Sequence, residues 1–126
     1  MITINYSNTF SKEFKRYHKK FASLKNEISE VAEKLRENPK YGVDLGQGLY
    51  KIRLAVSSKG KGKSGGFRII TYYFNELLNE EIVTLLFIYD KSEINDLPKD
   101  KLLKLLEIED IKQQQPTQKA NFNKIK

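Results

Sequence analysis

Apolar positions along the chain change their spacing several times, and each change predicts an element. Ile2, Ile4 and Tyr6 alternate with Thr3, Asn5 and Ser7, the two-residue period of a half-buried strand. The period then lengthens. Phe10, Phe14, Tyr17, Phe21 and Leu24 recur every three or four residues, which predicts a helix capped by Ser11, with Lys12, Arg16, Lys19 and Lys20 largely off the apolar side. Leu24, Ile28, Val31 and Leu35 form the stripe of a second helix, with Glu27, Glu30, Glu33 and Glu37 on its solvated face. It should stop at Asn38-Pro39, because proline disfavours helical geometry in the residue before it.

After a glycine-rich loop over 40–48, residues 49–56 read as a strand, 57–66 as a basic glycine-serine loop and 67–74 as a second strand. A polar turn over 75–81 leads to IVTLLFIY, residues 82–89, apolar on both faces as befits a central strand covered on both sides. Pro98 suits the first turn of a last helix with Leu102, Leu105 and Leu106 as its stripe. Short connections favour antiparallel pairing of the three successive strands. The expected fold is α+β in the order β-α-α-β-β-β-α, a small antiparallel sheet with helices packed on it, over residues 1–110. Residues 111–126 change to a basic polar composition, expected to form a mobile tail ordered only by a partner.

Composition narrows the chemistry. The 126 residues suit one domain, and a formal charge of +7, from 23 Lys+Arg against 16 Asp+Glu, favours a polyanionic or acidic partner. The absence of cysteine excludes disulfides, thiolate nucleophiles and cysteine zinc sites, and fits a reducing cytoplasm, where the chain is expected. The N-terminus has no apolar segment of the export type, and the longest apolar run is too short to span a bilayer. His18 is the only histidine, so catalysis by a histidine pair is impossible. Apart from Asp44 in the loop over 40–48, the carboxylates lie on helix faces and within 76–110 and none accompanies the two strands around the basic loop, which disfavours a metal-dependent nuclease; no metal or cofactor is expected. Gly62-Lys63-Ser64 ends like a phosphate-binding loop, but Ser57 stands where the first glycine belongs, and β-branched and aromatic residues follow instead of a helix.

Six cations and no acid lie between Leu45 and Asn75: Lys51, Arg53, Lys59, Lys61, Lys63 and Arg68. Lys51 and Arg53, two apart on a strand, share one face, while Tyr50, Ile52 and Leu54 point to the core. Arg68 opens the next strand after Gly65-Gly66, and Lys91 follows the apolar strand. Paired as expected, the strands bring Lys51, Arg53, Arg68 and Lys91 to one concave surface, with Lys59, Lys61 and Lys63 gripping nucleic-acid backbone from the loop. Such a face can equally bind phosphates without chemistry.

The strings Tyr50-Lys51-Ile52-Arg53-Leu54, Gly62-Lys63-Ser64-Gly65-Gly66-Phe67-Arg68-Ile69-Ile70 and Tyr89-Asp90-Lys91-Ser92-Glu93 resemble the RelE/ParE superfamily of type II toxin-antitoxin toxins, and the long loop looks most like its HigB-type branch. The resemblance spans residues 2–106. It implies a ribosome-dependent mRNA endoribonuclease (an mRNA interferase) that blocks translation and is neutralised by a cognate antitoxin, expected to be a helix-turn-helix protein. It places Lys51 and Arg53 at the strand lysines of the RelE pattern and Arg68 at its arginine. The arginine and tyrosine that flank the family's Ser-Glu pair have no direct match; Lys91 is carried over, and the part of Tyr89 is left open.

Such chemistry needs neither histidine nor metal. Attack by the RNA's own 2′-OH requires in-line positioning, charge stabilisation at the phosphate and proton transfers at both ends. Arginine, always charged, can only clamp the phosphate, which falls to Arg68 with Arg53 second. Lysine can act as base where neighbouring cations disfavour its charged form, so Lys51 and Lys91 share the acid and base roles without assignment between them. Two rival readings remain: a ParE-like inhibitor of DNA gyrase, which would not need Lys51, Arg53 and Arg68 together, and a basic nucleic-acid-binding module without catalysis.

Overall fold

The structure, a computed structural model, describes residues 1–59, 65–77 and 80–113. Lys61, Lys63, the Gly62-Lys63-Ser64 string and the tail beyond residue 113 lie outside the described residues. The chain runs β1 (Ile2–Tyr6), α1 (Asn8–His18), α2 (Leu24–Glu37), β2 (Val43–Gly46), β3 (Leu49–Leu54), a 3-10 turn (Ser57–Lys59), β4 (Phe67–Leu77), β5 (Glu80–Asp90) and α3 (Lys99–Ile108). Among the described residues, three helices on one five-stranded sheet, ordered β1-β5-β4-β3-β2, make the expected α+β fold.

Four details differ from the sequence reading. β1 lies parallel to β5, because α1 and α2 carry the chain away before it returns to the sheet. Part of the loop over 40–48 is strand β2, whose Val43 and Asp44 pair with Lys51 and Tyr50. The polar stretch over 75–81 is mostly strand, with β4 continuing to Leu77 and β5 starting at Glu80. The cap of α1 is Ser7 instead of Ser11: its Oγ accepts from the Phe10 amide at 2.9 Å and donates to the Leu86 carbonyl at 2.7 Å.

Both sheet faces are covered. On one, Phe10, Tyr17, Leu24, Ile28, Val31 and Leu35 of α1 and α2 pack on Ile52, Leu54, Phe67, Ile69, Val83, Leu85 and Ile88. On the other, Leu102 and Leu106 of α3 pack on Leu49, Ile70, Tyr72, Phe74, Leu86 and Tyr89. The far end of α3 is tied down by Glu109, whose carboxylate accepts from the Asn8 and Thr9 amides and the Thr9 hydroxyl, at the positive end of α1.

Where the faces change over, β5 carries a bulge. Ile70 pairs with Phe87 but Thr71 with Leu85, so Leu86 is the extra residue. A one-residue slip reverses every later side chain. Beyond it, Tyr89 shares the α3 face with Arg68, while Asp90 turns toward α1.

The β2–β3 turn needs left-handed backbone at Gly46, Gln47 and Gly48 (φ 91°, 55° and 86°). A Cβ on Gly48 would stand 2.9 Å from both the Tyr72 ring and the Tyr73 carbonyl oxygen. Gly48→Ala should therefore cost about 1–3 kcal/mol, read as a lower urea midpoint with an unchanged slope of free energy against denaturant.

Candidate active site

The register of β3, β4 and β5 builds the basic surface. Arg53 pairs with Arg68 and Arg68 with Tyr89, so these three side chains form one cross-strand row on the α3 face; Lys51, opposite Ile70, lies in the adjacent row. α3 covers the hydrophobic part of that face and leaves Arg53 exposed and Lys51 half-exposed at its end. Arg68 is only 6% exposed, and its Nη1 donates to the Phe67 carbonyl at 3.2 Å. Tyr89 is buried at 2% exposure; burial pushes its hydroxyl up, the neighbouring Arg68 charge pulls against that, and Asp96 adds to it. The phenol is therefore protonated at neutral pH.

Lys91 follows β5, and its amide donates to the Gly66 carbonyl at 3.0 Å, which brings the residue beside the start of β4. Its ammonium donates to the Asn95 carbonyl at 2.5 Å. The register and this hydrogen bond thus place Lys51, Arg53, Arg68 and Lys91 at one end of the sheet. A cleft of about 180 Å³ between α2 and β3 borders Arg53 from the other side, but its lining includes Glu27 and Glu30, which would repel a phosphate.

Lys59 stands apart from its expected role. Its side chain, 9% exposed, is paired with the Asp90 carboxylate, 6% exposed, and its Nζ also donates to the Gly65 carbonyl at 3.0 Å. Asp90 Oδ1 accepts further from the Ser92 amide at 2.9 Å and the Ser92 hydroxyl at 2.8 Å. The Asp90 amide donates to the Tyr17 hydroxyl at 3.1 Å, which donates to Glu93 at 2.9 Å; Glu93 also takes Arg16. Tyr17 in turn meets Phe67 edge-on, with ring centroids 4.8 Å apart. A lysine so engaged is part of the scaffold and does not offer its charge to a ligand.

A family model described as the RelE toxin of the RelE/RelB toxin-antitoxin system matches residues 9–124. The chain belongs to that family. It is a toxin of a toxin-antitoxin system, and membership implies an antitoxin partner. The match runs well past residue 106, where the resemblance read from the strands ends. Among the described residues, no helix of the toxin is long and apolar enough to cross a membrane, and no cluster of His, Cys, Asp or Glu could hold a metal ion. Where a phosphate-binding loop would lead into a helix, the toxin has strand β4.

Sequence reasoning missed Asp90, Ser92, Tyr17 and Glu93. The available signal was an aspartate two residues before a serine at the end of an apolar strand, a spacing at which a carboxylate closes a turn on its own backbone.

These contacts shift three carboxyl groups of the toxin in the same direction. Burial raises Asp90, but the Lys59 and Ser92 hydrogen bonds outweigh it and hold the group below its ordinary value. Arg16 and Tyr17 hold Glu93 down, and at Glu109 burial is outweighed by the Thr9 and Asn8 donors. A carboxyl lowered by folding stabilises the folded state fully above its unfolded value and loses that contribution as pH falls through the folded one. Urea unfolding should therefore show stability falling from about pH 4 downward, and Asp90→Asn should make that acid limb shallower.

Proposed function

We propose that this toxin is a ribosome-dependent, metal-independent mRNA endoribonuclease of the HigB-type branch that arrests translation, with Lys51, Arg53, Arg68 and Lys91 as its catalytic residues. RelE-family toxins are in general endoribonucleases. The observation that carries the proposal is the cross-strand row Arg53–Arg68–Tyr89 with Lys91 hydrogen-bonded to Gly66 beside it.

The row suits a scissile phosphodiester. Arg53 is exposed and meets the incoming phosphate; Arg68, nearly out of water, acts in a medium where its charge is weakly screened. Two guanidiniums on adjacent strands stabilise the charge that grows on the phosphate oxygens as the 2′-OH attacks. Lys51 and Lys91 flank them for the proton transfers at the 2′-OH and the leaving 5′-oxygen. Tyr89, protonated and buried against Arg68, holds the guanidinium in place and is a positioning residue. Lys61 and Lys63, in the basic loop, grip the RNA backbone.

With no strong base on this surface, free RNA is a poor substrate, and the ribosome has to align the 2′-OH with the phosphate. The basic face also suits an acidic segment of the antitoxin, a helix-turn-helix protein in this proposal.

The test is cleavage of a defined mRNA on programmed ribosomes, mapped by primer extension. Arg68→Ala should lower the cleavage rate by about 10²-fold or more and abolish growth arrest. Because Arg68 is buried, Arg53→Ala, at an exposed position, should give a large loss with the thermal unfolding midpoint unchanged. Wild-type rates in both variants, or a wild-type protein that binds gyrase and leaves ribosome-bound mRNA intact, would overturn the proposal.

A further inference from the structure

We propose that the Lys59–Asp90 pair positions the catalytic surface: it fixes the two ends of the β3–β4 connection against the turn after β5, and so sets where Lys91 stands relative to Arg68. This rests on the catalytic reading given above.

Three observations carry it. The first is convergence. Lys59 ends the 3-10 turn after β3, Gly65 precedes β4 and Asp90 ends β5, and the Lys59 ammonium joins all three by donating to Asp90 and to the Gly65 carbonyl. The second is that Asp90 organises the turn bearing Lys91. Its carboxylate takes the Ser92 amide and hydroxyl, and its carbonyl takes the Glu93 and Ile94 amides, at 2.9 and 3.0 Å. Asn95, which accepts from the Lys91 ammonium, lies directly beyond. The third is the bulge in β5, which sends Asp90 toward α1 while Tyr89 before it lies on the α3 face and the Lys91 amide after it is held by Gly66 at the start of β4. One peptide thus links the buried pair to the proposed active site.

Energetics point the same way. Removing two charges from water costs several kcal/mol, and replacing a buried ion pair by apolar groups is often neutral or stabilising. A wish for stability alone does not explain Lys59 and Asp90. A pair that must be matched to be tolerated does select one arrangement of the three segments, since any other leaves a buried charge unpartnered.

The experiment compares wild type, Asp90→Asn, Lys59→Met and the double variant. It measures amide hydrogen exchange at Lys91 and Ser92, thermal unfolding, and the kcat and KM of mRNA cleavage on programmed ribosomes. In each single variant, exchange at Lys91 and Ser92 should rise about tenfold or more with α2 amides unchanged, and kcat should fall between about tenfold and a hundredfold with little change in KM. The double variant, which leaves no orphaned charge, should recover thermal stability without recovering exchange protection or kcat. Lys59→Arg, which keeps the charge, should retain protection and serves if a single variant does not fold. Unchanged exchange in Asp90→Asn, or a double variant that regains kcat along with stability, would overturn the proposal. A wild type that cleaves nothing would refute the catalytic reading, while exchange at Lys91 and Ser92 would still judge the pair.

Discussion

β5 is apolar on both faces, and that constraint organises the molecule. A strand of this kind cannot stand at an edge or against water, so it must sit within a sheet and be covered from both sides. β1 and β4 flank it; α1 and α2 cover one face, and α3 covers the other. The ends of the covering helices are secured by the same strand and its surroundings. Ser7 caps α1 and bonds the Leu86 carbonyl at the bulge, and Glu109 returns from α3 to the start of α1.

Within that frame the positive charge is held where the packing stops. Lys51, Arg53 and Arg68 each lie between buried residues of their strands, so their backbone positions are as fixed as those of the core residues beside them. A rigid sheet is a better mount for a charge cluster than a loop, because groups already held in place have little to reorganise when a ligand arrives. Asp90, the carboxylate closest in sequence to this surface, is turned to the opposite side and neutralised by Lys59. The surface thereby keeps its positive field.

Some of this was legible in the residues. The two-residue and three-to-four-residue periods located the strands and helices, and alternation in Tyr50-Lys51-Ile52-Arg53-Leu54 put both cations on one face because strand geometry leaves no other choice. The β2 strand was hidden by its length: the alternation Val43-Asp44-Leu45 is too short to stand out among the glycines at 42, 46 and 48. The parallel placement of β1 was hidden because a short half-buried strand reads the same in either direction.

The sequence by itself determined the α+β class, the central position of the apolar strand and the identity of the cations, since each follows from local periodicity or composition. It could not determine the register of β5: with apolar residues on both faces, IVTLLFIY looks the same with or without the slip at Leu86. Only the tertiary structure decided that Tyr89 joins Arg68, that Asp90 faces α1, and that Lys59 spends its charge internally. Those outcomes depend on pairing and burial between distant segments, 31 residues apart for Lys59 and Asp90 and 73 for Asp90 and Tyr17, where no local rule reaches.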